Sequence, residues 1–142
     1  MKTKILSIIL LFSLSLSSFK TAENPTRIVF FGDSITQAGV GKTGYITKMA
    51  EMLGTLGLAS KYELIGAGIG GNKIYDLYLR HEEDVIAKKP NIVIIYVGIN
   101  DVWHKTSSRT GTDADKFEKF YNALIKRLQK SDIQVVICTP TV

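Results

Sequence analysis

The chain has 142 residues, 45% of them apolar, with 18 basic and 13 acidic side chains and a formal charge of +5 at neutral pH. Lys2, Lys4 and Lys20 but no acid lie in residues 1–22, so the remainder carries only +2. That balance leaves no electrostatic footprint for nucleic acid or a membrane surface, and one cysteine, Cys138, excludes an intrachain disulfide.

Lys2 and Lys4 precede the apolar run Ile5 to Leu16, which ends in Ser17, Ser18 and further small residues up to Ala22. This is the pattern of a secretory signal peptide, and the run falls short of the ~20 apolar residues a membrane span needs. The expectation is a leader over 1–22 and one domain over 23–142. Such a protein is secreted or periplasmic, with no stable membrane insertion after cleavage.

The first β-branched apolar run, Arg27–Phe31, leads directly into Gly32-Asp33-Ser34-Ile35-Thr36. Tyr45, Ile46, Met49, Met52, Leu53 and Leu56 then recur at helical spacing, with Gly57 as the stop. A second strand over Tyr62–Ile65 runs into the loop Gly66-Ala67-Gly68-Ile69-Gly70-Gly71-Asn72. The stripe Ile74, Leu77, Tyr78, Val85 predicts a second helix, which Pro90 separates from a third strand over Ile92–Val97. That strand leads into the loop Gly98-Ile99-Asn100-Asp101. The third helix carries Phe117, Phe120, Tyr121, Leu124, Ile125 and Leu128, with Thr112 as its cap, acids at its start and Lys126, Arg127 and Lys130 at its end. A fourth strand spans Gln134–Cys138, where Cys138 reads as a small core side chain.

Alternating strands and helices imply an α/β fold, a parallel sheet covered by helices on both faces with right-handed crossovers. In the flavodoxin-like strand order 2-1-3-4, the loops after strands 2, 1 and 3 lie side by side at the carboxyl edge, where ligands bind. Gly71, Ser34 and Asn100 then converge. The backbone N–H groups of Ser34 and Gly71 and the amide of Asn100 suit an oxyanion hole for a serine attacking a carbonyl. Ordinary turn chemistry accounts for each motif taken singly; three in order, each ending a strand, point to a site.

These three motifs resemble those of the GDSL, or SGNH, hydrolase family, over nearly all of residues 27–142. Gly98-Ile99-Asn100-Asp101-Val102-Trp103-His104 is similar to the secreted bacterial esterases of that family. Gly66, where many members have asparagine, is a departure. The resemblance implies a flavodoxin-like three-layer sandwich and a serine esterase working through an acyl-serine intermediate. No metal or organic cofactor is implied. The substrate is a small-molecule or carbohydrate ester, with acetylated polysaccharide, lysophospholipid and simple esters all open, and no oligomeric state is set.

The resemblance assigns Ser34 as nucleophile and Gly71 and Asn100 to the oxyanion. The family's base comes from an Asp-x-x-His motif near the C-terminus, expected to be missing here together with the last strand and helix. The chain is thus expected to be a C-terminally truncated hydrolase, inactive or nearly so as it stands. Of its histidines, His81 is expected to pack on the second helix and His104 to line the mouth of the pocket, neither as the base.

Two other functions were open on the residues. Gly66 to Gly71 matches G-x-G-x-x-G, with Glu82, Glu83 and Asp84 downstream, and Gly41-Lys42-Thr43 ends a near-match to a phosphate loop, so a nucleotide-binding protein is one alternative. A non-catalytic carbohydrate- or lipid-binding module on the same scaffold is the other.

Overall fold

A computed structural model describes residues 24–140; the expected leader lies outside them. The elements follow as β1 (Thr26–Gly32), α1 (Ser34–Gly39), α2 (Tyr45–Thr55), β2 (Tyr62–Gly68), α3 (Ile74–Asp84), β3 (Ile92–Tyr96), α4 (Ile99–Ser107), α5 (Ala114–Lys130) and β4 (Gln134–Cys138). Short 3₁₀ turns at Ala59–Lys61 and Ile86–Lys88 precede β2 and β3. The four strands form one sheet in the order β2-β1-β3-β4, every neighbouring pair parallel, as the alternation predicts.

The period-two alternation of β1 and β3 divides the apolar residues between two faces. Val29, Phe31, Val93 and Ile95 are fully buried with Ile74, Leu77, Leu124 and Leu128, so α3 and α5 cover one face. On the other, Phe30 meets Tyr45 of α2 edge to face, with ring centroids 5.7 Å apart. Further along, Ile28 and Leu64 line a hollow with Met49, Met52, Leu53 and Leu56. Covering both faces explains why β3 reads as a continuous apolar run. Gly57, at φ +69°, ends α2 as expected, with Leu58 N–H returning to Leu53 O at 2.8 Å.

Several expectations shift. β1 and β2 continue to the paired residues Gly32 and Gly68, so Gly66 to Gly68 belong to a strand and not to a loop. No periodic cue marks this extension, because small residues carry no apolar alternation. Asp113, not Thr112, occupies the cap position of α5; Thr112 is buried, its N–H donating to Asp101 O at 3.0 Å. Cys138 is half-buried and lines an open groove of about 390 Å³ with Phe30, Tyr45, Met49, Ile94, Tyr96 and Thr139. It is therefore a groove wall and not a core residue. Ser34 and Asn100 each lie at the start of a helix, where loops were expected.

Candidate active site

β1 ends at Gly32, and the chain turns at once into α1 through Asp33, whose carboxylate accepts Ile35 N–H at 3.0 Å. Asp33 is buried, and loss of water there raises its carboxyl pKa above the ordinary value despite that bond. Ser34 is the first residue of α1 and stays exposed. A buried capping residue thus holds an accessible hydroxyl at the carboxyl edge of the sheet.

The segment after β2 lies beside it. Ile69 N–H donates to Gly32 O at 3.2 Å, and a Cβ built on Gly70 would stand 3.9 Å from the Ser34 Cβ. Gly71 has φ +76°, a conformation that L side chains rarely adopt. Among the described residues, the N–H groups of Ser34 and Gly71 donate to no protein acceptor. Both donors remain available to a ligand.

The remaining peptides of this segment are held. Lys73 N–H donates to Asp76 Oδ2 at 2.8 Å, and the Lys73 ammonium, on a buried side chain, donates to Gly71 O at 3.1 Å. Arg80 of α3 stacks over Phe31 with its guanidinium 4.5 Å from the ring centroid. It donates to Asn72 Oδ1 at 2.7 Å, Gly32 O at 2.8 Å and Ala67 O at 3.1 Å, and pairs with Asp84 at 2.6 Å. One side chain therefore joins the ends of β1 and β2 to the loop that carries Gly71.

The third contribution comes from the start of α4. Asn100 is buried, and its Nδ2 donates to Asn72 O at 3.0 Å. An amide nitrogen carries two hydrogens, so this bond fixes the side chain and leaves one hydrogen to donate elsewhere. Asp101 is likewise buried, and its carboxylate accepts Ile74 N–H at 3.2 Å. Burial raises its pKa, an effect only partly offset by that bond and the nearby Lys73 charge.

The Asp-x-x-His spacing expected to be missing is present at Asp101 and His104. The structure does not make a dyad of it. The carboxylate is turned to the start of α3, while His104 Nδ1 faces the Lys73 ammonium at 3.5 Å. An ammonium only donates, so the nitrogen a carboxylate would orient is committed to a cation. His81 lies about 10 Å along α3 from Ile74 at 1.5 Å per residue. It is buried, stacked on Tyr78, with Nδ1 against Tyr78 O. Its expected packing role is what the structure shows.

The structure brings the loops of Ser34, Gly71 and Asn100 together and leaves Lys42 exposed after α1. The G-x-G-x-x-G run does not open a helix, because its first half is β2 and α3 begins only at Ile74. Arg80, Lys73 and Asp101 were not singled out from the sequence. A cue existed for Arg80, a cation four residues before Asp84 on the same helix.

No helix among the described residues is long and apolar enough to cross a membrane, and no metal-binding cluster occurs among them. The model of the GDSL-like lipase/acylhydrolase family matches residues 30–142. The acetylxylan esterase of Geobacillus stearothermophilus is 30% identical, over 80% of this chain and 59% of its own. The crystal structure of an acetyl xylan esterase, AlAXEase, is 67% identical with a TM-score of 0.79, covering 80% of this chain and 58% of that one. A putative GDSL-like lipase of Parabacteroides merdae has 29% identity and a TM-score of 0.71, over 82% and 60%. Catalytic mutants of the Geobacillus esterase replace a serine, an aspartate and a histidine, the last two three positions apart. The present chain spans about three fifths of the length of these relatives. With its sheet order, its three strand-end motifs and a match from residue 30 onward, the chain belongs to the GDSL-like lipase/acylhydrolase family.

Proposed function

We propose that this protein is a secreted serine esterase that removes acyl groups, acetyl foremost, from a carbohydrate ester. The observation that carries the reading is a pair of free N–H donors, at Ser34 and Gly71, beside a fixed Asn100 amide and an exposed Ser34 hydroxyl. The Ser34 oxygen attacks the ester carbonyl and gives up its proton; the carbonyl oxygen gains the negative charge. Ser34 N–H, Gly71 N–H and Asn100 Nδ2 are the groups this reading assigns to that charge. Collapse expels the sugar alcohol and leaves an acyl-serine, which water then cleaves.

A serine hydroxyl needs a base to take its proton. Neither His81, buried along α3, nor His104, facing Lys73, serves as that base, so residues 24–140 supply the nucleophile and the oxyanion donors but not the base. The serine replaced in the catalytic mutants of the Geobacillus esterase supports Ser34 as the nucleophile. The acetyl group and the carbohydrate alcohol are supported by the substrate in the names of two relatives. Export is supported by the leader pattern of residues 1–22.

The test is acetate release from acetylated xylan and from 4-nitrophenyl acetate by protein that carries its base, and the same protein serves every rate and KM comparison below. Ser34→Ala is expected to lower both by about a thousandfold or more. Undiminished release by Ser34→Ala contradicts the reading.

A further inference from the structure

We propose that Trp103 is a stacking platform for a pyranose ring of the carbohydrate ester, so that the substrate is held by its sugar as well as by its acyl group. This rests on the esterase reading above. Four exposed apolar side chains lie within three positions of the site residues: Ile35 after Ser34, Ile69 before Gly71, and Val102 and Trp103 after Asn100. Trp103 is the most open of them, 62% exposed.

Its place on α4 gives that exposure a use. Residues three and four apart are neighbours on a helix surface, so Trp103 and His104 flank Asn100 one turn along. His104 Cε1 lies 4.0 Å from where a Cβ on Gly71 would stand, which sets this turn against the oxyanion loop. Trp103 thus lies one helical turn from the residue whose amide is assigned to the oxyanion. The turn beneath it is tied down, since the Ser107 hydroxyl donates to Trp103 O at 3.0 Å.

An aromatic face that is open and held on a helix, one turn from a site residue, matches the apolar C–H face of a pyranose. Tryptophan offers a large apolar surface at small entropic cost, because few torsions must be fixed. The rim beyond it is polar, with Lys105, Ser107 and Ser108 exposed, which suits the sugar's hydroxyl edge. The substrate in the names of two relatives is an acetylated xylan, whose backbone presents such rings.

Trp103 is the chain's single tryptophan, so intrinsic fluorescence reports on this position alone. Titration with unacetylated xylohexaose is expected to give a saturable blue shift, equally in Ser34→Ala, because no ester is cleaved. Trp103→Ala, which truncates an exposed side chain and leaves no cavity, is expected to raise KM for acetylated xylo-oligosaccharide about tenfold. KM for 4-nitrophenyl acetate, which has no sugar, is expected to stay unchanged. No spectral change with xylohexaose overturns the proposal, as does an equal rise of both KM values. Absence of hydrolysis by protein that carries its base, with a saturable shift retained, overturns the esterase reading and leaves the sugar platform standing.

Discussion

The buried carboxylate of Asp101 accepts the N–H of Ile74, the first residue of α3, with its two oxygens 3.2 and 3.3 Å from the nitrogen. A helix start is thereby capped from another helix, and an anion there also complements the helix dipole. Asn100, one residue earlier, donates to Asn72 O. These two bonds join the segment from Asn72 to Ile74 to α4. Asp101→Ala leaves the Ile74 N–H buried without a partner and is expected to cost about 1–3 kcal/mol, read by urea denaturation. The exposed Glu118→Ala is the control; an equal loss in both would remove the cap from the account.

The same carboxylate sets a pH dependence. Burial raises the pKa of Asp33 and Asp101 above the ordinary 3.8, so in the window just above that value the folded state holds more protons than the unfolded one. Their contribution to stability is then greatest below the unfolded pKa and declines as pH rises through the raised values. Asp101→Asn keeps an acceptor for Ile74 N–H but does not titrate. Its unfolding free energy relative to the parent is expected to increase from pH 3.5 to neutrality. A difference independent of pH would show that Asp101 carries no such cost.

Arg80 binds the ends of two strands to the site loop through Gly32 O, Ala67 O and Asn72 Oδ1. Arg80→Met keeps much of the packing over Phe31 and removes every one of those donors. The expected loss is at least about 2 kcal/mol, since bonds from charged donors are worth about 1.5–3 kcal/mol each and their acceptors are left behind. The exposed Arg127→Met is expected to change little. Equal thermal transitions for the two variants would contradict the role given to Arg80.

Lys73 holds the Gly71 carbonyl at 3.1 Å, and on the proposed reading it positions the Gly71 N–H for the oxyanion. Lys73→Met is expected to lower kcat on 4-nitrophenyl acetate about tenfold, the equivalent of about 1.4 kcal/mol in the transition state. KM should change little, because the oxyanion forms only after binding, and Lys73→Arg should recover part of the rate. A rise in KM at constant kcat would make Lys73 a substrate contact instead.

The alternation of strands and helices, and the places of Ser34, Gly71 and Asn100 just past strand ends, follow from patterns the chain displays openly, whereas the order of the sheet comes from likeness to flavodoxin-like folds. β-branched runs such as Ile92–Tyr96 stand out because both faces of the sheet are covered, and the strand-end motifs follow such runs directly. α1 escaped notice because six residues are too few to show a helical period. α4 begins with Asn100 and Asp101, both buried polar residues, which read locally as a turn. The holding contacts of Arg80, Lys73 and Asp101 join residues 27 to 48 positions apart or depend on a loop's exact path. No local pattern reports such contacts. The Asp101 and His104 spacing shows the converse, a motif match undone by the directions in which its side chains point.

The most direct test of the central claim is peptide mapping by mass spectrometry after prolonged exposure to a fluorophosphonate, which adds covalently to a serine oxygen seated in an oxyanion site. The expected result is one adduct, on Ser34, formed at the same rate in His104→Ala and His81→Ala and suppressed in Asn100→Ala. An adduct elsewhere, none at all, or one lost in His104→Ala would contradict the assignment of Ser34 as nucleophile or the exclusion of His104 as its base.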